Sequence, residues 1–140
     1  IGSSDYKDTL VNLVESLGLH EKITFVSHTD KVNEYLAQND LYLQGSYVEG
    51  FPNALLESCA TGTPAVVFDA PGGINEIILP GVNGYIAKDH VDFLEKLELS
   101  INHPWSPSAV RESVYSRYSE EKILANYEDL FLDLVSPKKN

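Results

Sequence analysis

Leu41-Tyr42-Leu43-Gln44-Gly45-Ser46-Tyr47-Val48-Glu49-Gly50-Phe51-Pro52-Asn53-Ala54-Leu55-Leu56-Glu57 joins a short apolar run, a glycine-bearing loop and a helical pattern. Leu41 to Gln44 reads as a strand. Gly45 and Gly50 let the backbone turn and come close to a ligand. Pro52 has no N–H and a preset φ, so it suits the first position of a helix. The N–H groups of Asn53 and Ala54 then point out of the helix start. Together with the positive end of the helix dipole they form an anion site suited to a diphosphate. In an open α/β sheet, ligands bind beyond the carboxyl ends of the strands. This loop is in that position.

The same alternation continues on both sides. Ile23-Thr24-Phe25-Val26, Ala65-Val66-Val67-Phe68 and Tyr85-Ile86-Ala87 also read as strands, rich in β-branched and apolar residues. Between the strands lie helical stretches. Asp5 is placed to cap a helix carrying Leu10, Val11, Leu13, Val14 and Leu17, which Gly18 ends. Asp30 is placed to cap a shorter one with Val32, Tyr35 and Leu36; residues 52–61 and 73–79 make two more. The strands are too apolar for a sheet with one wet face, which predicts a parallel sheet covered by helices. Beyond Ala87 the pattern is helical. Residues 89–102 form one candidate helix, Pro104 and Pro107 break the chain, and Ser119 caps a final helix. The apolar face of that helix is Ile123, Leu124, Tyr127, Leu130, Phe131 and Leu134.

Composition narrows the function classes. Ten Lys and Arg against 21 Asp and Glu give a net charge of −11 in 140 residues, with no basic cluster outside Lys138-Lys139. A nucleic-acid backbone is repelled by such a surface. No apolar run approaches the roughly 20 residues of a membrane span, and the N-terminal residues do not read as a signal peptide. The single cysteine, Cys59, sits among Leu55, Leu56 and Ala60 and reads as a small buried hydrophobe rather than a reactive thiol. It excludes an internal disulfide framework and fits a reducing, cytoplasmic setting. Ile1-Gly2 reads as the end of a strand whose body is absent, so the chain is expected to start inside a domain.

Two carboxylates bracket the helix start. Glu57, about one and a half turns in, is placed to accept paired hydrogen bonds from vicinal hydroxyls such as those of a ribose. Glu49, before the helix, could meet the hydroxyls of a sugar attached to the phosphate. From spacing alone, a solvated loop acid and an ordinary helix-surface charge fit equally well. His20, His90 and His103 are scattered and suggest no metal cluster. Glu76 reads either as a group reaching a ligand or as a first-turn acid that stabilises its helix. Trp105, between prolines, reads as a staple for the C-terminal helices.

Glu49-Gly50-Phe51-Pro52-Asn53-Ala54-Leu55-Leu56-Glu57 resembles the E-x7-E motif of the retaining glycosyltransferases of family 4. The neighbouring pieces follow in register: Asp40-Leu41 to Ser46, Thr61-Gly62-Thr63-Pro64-Ala65-Val66-Val67, Pro71-Gly72-Gly73-Ile74-Asn75-Glu76-Ile77-Ile78, and Gly81-Val82-Asn83-Gly84-Tyr85. The resemblance implies the C-terminal, donor-binding half of a GT-B enzyme. Its fold would be α/β, with a doubly wound, Rossmann-like parallel sheet that here lacks its first strand. Residues 1–103 would form the nucleotide-sugar-binding α/β domain, and residues 104–140 its C-terminal helices. By the resemblance Glu57 binds the donor ribose, and Glu49, the candidate catalytic residue, contacts the transferred sugar, orienting and stabilising it. Backbone amides of Gly50, Phe51, Asn53 and Ala54 contact sugar and phosphate. Ser27-His28 stands in the loop expected to hold the nucleobase, where the family has a glycine, so those two residues are the candidate base pocket. Ser4 and Ser58-Cys59 also depart from the family pattern.

No D-x-D triplet occurs, and the resemblance implies no metal and no cofactor. A basic pair, expected upstream of these residues, and helix dipoles would take the metal's place. The implied partners are a nucleoside-diphosphate sugar as donor and a glycan or lipid-linked acceptor held by an N-terminal domain, with no nucleic acid. Peripheral association of the full enzyme with the inner face of a membrane fits the same picture. These residues alone are expected to be inactive and to lack a central strand, with strand exchange as one form of repair. Two other readings remain: a nucleotide-sugar epimerase on the same fold, and a non-catalytic α/β binding module. The first needs His and acid groups at a sugar pocket, and the second needs an acidic cluster with a lysine at strand ends.

Overall fold

Three of the four expected strands form in the computed structural model, which describes residues 6–136. The expectations for Ile1-Gly2, Ser4, Asp5 and Lys138-Lys139 lie outside the described residues. The chain divides into two compact units, residues 1–35 and 36–140. In the first, helix α1 (Lys7–Ser16) ends as the sequence predicts. Gly18 takes φ +66°, its N–H bonds to the Glu15 carbonyl, and the Leu19 N–H reaches back to Val14. This is a Schellman closure, which needs a left-handed residue. Ile23-Thr24-Phe25-Val26, expected as a strand, is irregular. A parallel strand exists only through its ladder, and no described residue pairs with this segment. Helix α2 (Val32–Ala37) follows.

The second unit carries the sheet. Strands β1 (Tyr42–Gln44), β2 (Ala65–Phe68) and β3 (Gly84–Ala87) are parallel, in the order β1-β2-β3. Tyr42 pairs with Ala65 and Ala65 with Gly84, while Val67 lies opposite Gln44 and Ile86. Side chains at paired positions share a face, so Tyr42, Gln44, Ala65, Val67 and Ile86 point one way. There they meet the core built from Leu55 and Cys59 of α3 (Asn53–Thr61), Ile74 and Ile77 of α4 (Ile74–Ile77), and Val110 and Val114 of α6 (Pro107–Tyr118). Full burial of Leu55, Ile74 or Ile77 contributes about 1.5–3 kcal/mol each. On the other face, Phe68 meets Phe93 of α5 (His90–Asn102) with ring centroids 4.8 Å apart. Helices on both faces make the unit doubly wound.

Helix boundaries refine the sequence reading at several points. Pro52 is the residue before α3 rather than its first, at φ −79° and ψ 85°. A whole helix, α6, starts where the prolines read as breakers. Ser106 caps it by accepting from Ala109 N–H, and Pro107 occupies the opening turn, where a missing N–H costs nothing. Trp105 is the staple expected, donating its indole N–H to Ser100 O at 2.8 Å and packing against the core. Ser119 caps α7 (Glu120–Val135) by accepting from Lys122 N–H. The apolar face of α7 is exposed: Leu124, Tyr127, Phe131 and Leu134 keep 55–72% of their surface. Cys59 is fully buried, and burial pushes its thiol up to about 12, against a small opposing pull from the Arg117 charge. The inert reading of this residue therefore holds.

The Gly81-Val82-Asn83-Gly84 motif is structural. Asn83 is fully buried, donates to Ile77 O at 2.9 Å and Ser113 Oγ at 2.8 Å, and accepts from Leu79 N–H at 2.7 Å. One side chain thus closes α4, fixes the turn into β3 and ties both to α6. At Gly84, an added Cβ would run into the Ala65 carbonyl. Asn83→Ala leaves several buried polar groups without partners and is expected to lower stability by about 3 kcal/mol, read from denaturant unfolding. Asn83→Asp removes both donors and should do no better.

Candidate functional site

The site lies within the second unit, beyond the carboxyl end of β1. After Gln44 the chain runs through Gly45 to Phe51 and enters α3. The N–H groups of Leu55 and Leu56 both turn back to Pro52 O, at 3.1 Å. Those of Asn53 and Ala54 precede the first intrahelical bond and, among the described residues, have no acceptor, as expected of a helix start. The amides of Gly50 and Phe51 likewise have no acceptor among the described residues. All four residues are exposed, along one short stretch at the positive end of a nine-residue helix.

A second loop holds this one in place. Glu49 N–H donates to Pro71 O at 3.1 Å, and Gly73 N–H donates to Gly50 O at 2.9 Å. Gly72 sits at φ +124°, and a Cβ there would collide with the carbonyl oxygens of Glu49 and Gly50. A Cβ on Gly73 would lie 2.6 Å from the Phe51 ring. The paired glycines read from the sequence are thus the condition for the two loops to touch. The Phe51 ring also meets Tyr118 edge to face, with centroids 5.7 Å apart.

Arg117 and Tyr118, at the end of α6, anchor the second loop from behind. Arg117 donates to the carbonyls of Glu76, Ile77 (2.9 Å) and Ser113 (2.7 Å), and Tyr118 OH donates to Glu76 O at 2.9 Å. Sequence reasoning assigned neither residue a role. An arginine in the last turn of an unrecognised helix offers no signal that it caps a different helix. Arg111 is likewise engaged, by the carbonyls of Ala60 and Thr61 at the end of α3.

The two acids differ. Glu49 is half-buried and accepts from Gln44 Nε2 at 2.8 Å, which removes the solvated-loop reading for this residue. Glu57 is exposed and borders an apolar groove of about 260 Å³ with Leu56, Tyr115 and Tyr118. The Tyr42 hydroxyl has its pKa raised, first by burial and then by the negative charges of Glu49 and Glu57.

Other candidates fall elsewhere. Ser27 and His28 belong to the first unit and are both exposed. Glu76 has an exposed side chain and contributes only its carbonyl to the contacts above. Tyr47 stacks on Phe68 at 5.7 Å, and its hydroxyl lies 3.2 Å from His90 Nε2. That aromatic cluster at the strand ends has no counterpart in the sequence reading. A larger cavity, of about 660 Å³, opens at the opposite end of the sheet, beside Asp40, Thr63 and Trp105. Among the described residues no three His, Cys, Asp or Glu side chains gather as they would to hold a metal, and no helix is long and apolar enough to cross a membrane.

The second unit is a doubly wound α/β unit whose candidate site lies beyond the carboxyl end of a strand, where open α/β sheets bind ligands. The sequence pattern of the family described as Glycosyl transferases group 1 matches residues 1–117, so the chain belongs to that family. It is 34% identical over 141 residues to the N-acetyl-alpha-D-glucosaminyl L-malate synthase of Bacillus anthracis, covering 94% of this chain and 36% of that protein. The fold is that of the GT-B glycosyltransferases. The lipopolysaccharide outer core galactosyltransferase WaaB superposes with a TM-score of 0.86 at 20% identity, over 96% of this chain and 40% of that one. A variant of Staphylococcus aureus TarM, solved with fondaparinux, alpha-GlcNAc-glycerol and UDP, gives 0.77 at 27% identity, over 91% and 27%. The chain therefore spans about a third of the length of the relatives it matches.

Proposed function

We propose that this chain is the donor-binding part of a retaining glycosyltransferase that takes a nucleoside-diphosphate sugar. The observation that carries the reading is the row of amides at Gly50, Phe51, Asn53 and Ala54 that have no acceptor among the described residues, with Glu49 before them in the chain and Glu57 after. The diphosphate accepts hydrogen bonds from the Asn53 and Ala54 amides at the α3 N-terminus. Glu57, on the next turn, accepts from the ribose hydroxyls. Glu49 accepts from a hydroxyl of the transferred sugar and holds it with its anomeric carbon open to the acceptor. The acceptor hydroxyl attacks that carbon on the same face from which the diphosphate departs, the bond to the diphosphate breaks, and the released phosphate oxygen takes the proton. The sugar leaves with its anomeric configuration retained. On this reading Glu49 orients and stabilises and is not itself a nucleophile.

On this reading the chemistry runs without a metal, as the lack of a D-x-D triplet and the family resemblance imply. The amides and helix dipole supply part of the positive potential, and a basic pair outside these residues, as the family resemblance implies, supplies the rest. TarM bound to UDP and the relatedness to an N-acetylglucosaminyl malate synthase make UDP-N-acetylglucosamine the first donor to try. The test uses the transferase that carries this chain, with a panel of UDP-, GDP- and ADP-sugars, with and without a glycan acceptor. The reading expects one nucleotide class to bind tightly by calorimetry and its sugar to appear on the acceptor. Donor isomerised or consumed equally well without acceptor would transfer the assignment to an epimerase or hydrolase. Failure of the whole panel to bind would reject it.

A further inference from the structure

We infer that Gln44 is the positioning residue for Glu49, and that Tyr42 in turn sets the direction in which Gln44 faces. The inference rests on the donor-site reading above and adds to it the side chains that aim the sugar-contacting acid.

Tyr42 and Gln44 are two apart on β1, so their side chains leave the strand on the same face. Gln44 is 7% exposed. Its Nε2 donates to Glu49 Oε1 at 2.8 Å, and its Oε1 accepts from the Tyr42 hydroxyl at 3.1 Å. The orientation of this amide is fixed by chemistry. An ionised carboxylate only accepts, so the nitrogen must face Glu49, and the amide oxygen is left facing a group that can donate. The chain Tyr42→Gln44→Glu49 therefore runs in one direction only.

Its effect on Glu49 is geometric. One carboxylate oxygen is held by a neutral donor rooted in a β-strand, a rigid support. The other oxygen has no partner among the described residues and is open to a ligand. A neutral amide holds one oxygen of the acid without claiming the other, whereas an arginine would claim both and a leucine would leave the side chain free to turn. Burial of Tyr42 under two negative charges, which raises its pKa, keeps its phenol protonated and donating.

The test measures kcat and KM in the transferase that carries this chain, with the panel sugar nucleotide that the wild type turns over fastest. Gln44→Met keeps the volume and removes both hydrogen bonds. It is expected to lower kcat about 10- to 100-fold, the size of effect typical of hydrogen bonds to charged groups, with KM changed less than about threefold. In a Glu49→Ala background the same substitution should cost nothing further, because the group it positions is gone. A merely structural role would instead lower the melting temperature and act equally in both backgrounds, and that result overturns the inference. Near-wild-type kcat in Gln44→Met alongside a strong loss in Glu49→Ala also overturns it while leaving the donor-site reading intact. No effect from either substitution rejects both. Tyr42→Phe keeps the ring packing and carries the same test if Gln44→Met is insoluble. It should reduce kcat several-fold at constant KM, and an unchanged kcat would count against the relay.

Discussion

Gly72→Ala is expected to do the most damage of any single methyl added to this protein. At φ +124° an alanine pays for its Cβ in backbone strain, about 1–3 kcal/mol. The same Cβ points at the Glu49 and Gly50 carbonyls, and such overpacking adds about 1–3 kcal/mol. Together these lower the stability by about 3 kcal/mol or more, read from denaturant unfolding of the transferase that carries this chain. The residual folded protein should have lost donor binding as well, because relief of the clash separates the two loops and turns the amides away. Gly73→Ala is the control. Gly73 sits at φ −77°, and its added Cβ meets only the Phe51 ring, which can swing aside. Its cost should be clearly smaller, and equal effects from the two substitutions would contradict this account of the loop contact.

Glu49→Ala and Glu57→Ala should fail in different ways. On the proposed reading each removes charge-assisted hydrogen bonds to the substrate, worth about 1.5–3 kcal/mol, or about 10- to 150-fold. If Glu57 binds the ribose equally in ground and transition states, its loss raises the donor KM and leaves kcat nearly unchanged. If Glu49 holds the sugar as charge develops at the anomeric carbon, its loss lowers kcat with little change in KM. Steady-state kinetics on the two variants separates these patterns, and near-wild-type values in both would reject the site.

Strong local chemistry made much of this legible from residues alone. β2 forms where four consecutive apolar residues predict it, because burial on both faces leaves no other arrangement for such a run. The Gly18 closure and the Ser119 cap are likewise dictated within a few residues. The failures share one cause: a pattern states what a segment requires but not what supplies it. Ile23 to Val26 have the composition of a strand and no described ladder partner. Leu124, Tyr127, Phe131 and Leu134 define an apolar face, yet spacing names no surface to cover it. The helix at Pro107 was hidden because a proline that breaks one helix also opens the next, and only Ser106 before it tells the two apart. In the candidate site, both acids were named from their spacing, but the Gln44 amide that donates to Glu49 is placed by strand alternation joined to loop geometry. Arg117 was beyond reach, since its partners lie about 40 residues earlier in the chain.

The central claim is most directly tested by a crystal structure of the transferase with an intact sugar nucleotide bound. The account expects diphosphate oxygens at hydrogen-bond distance, about 2.7–3.2 Å, from the N–H groups of Asn53 and Ala54. It also expects the ribose on Glu57 and the sugar turned toward the free oxygen of Glu49. A diphosphate held elsewhere, with those amides still facing solvent or covered by protein, would contradict it.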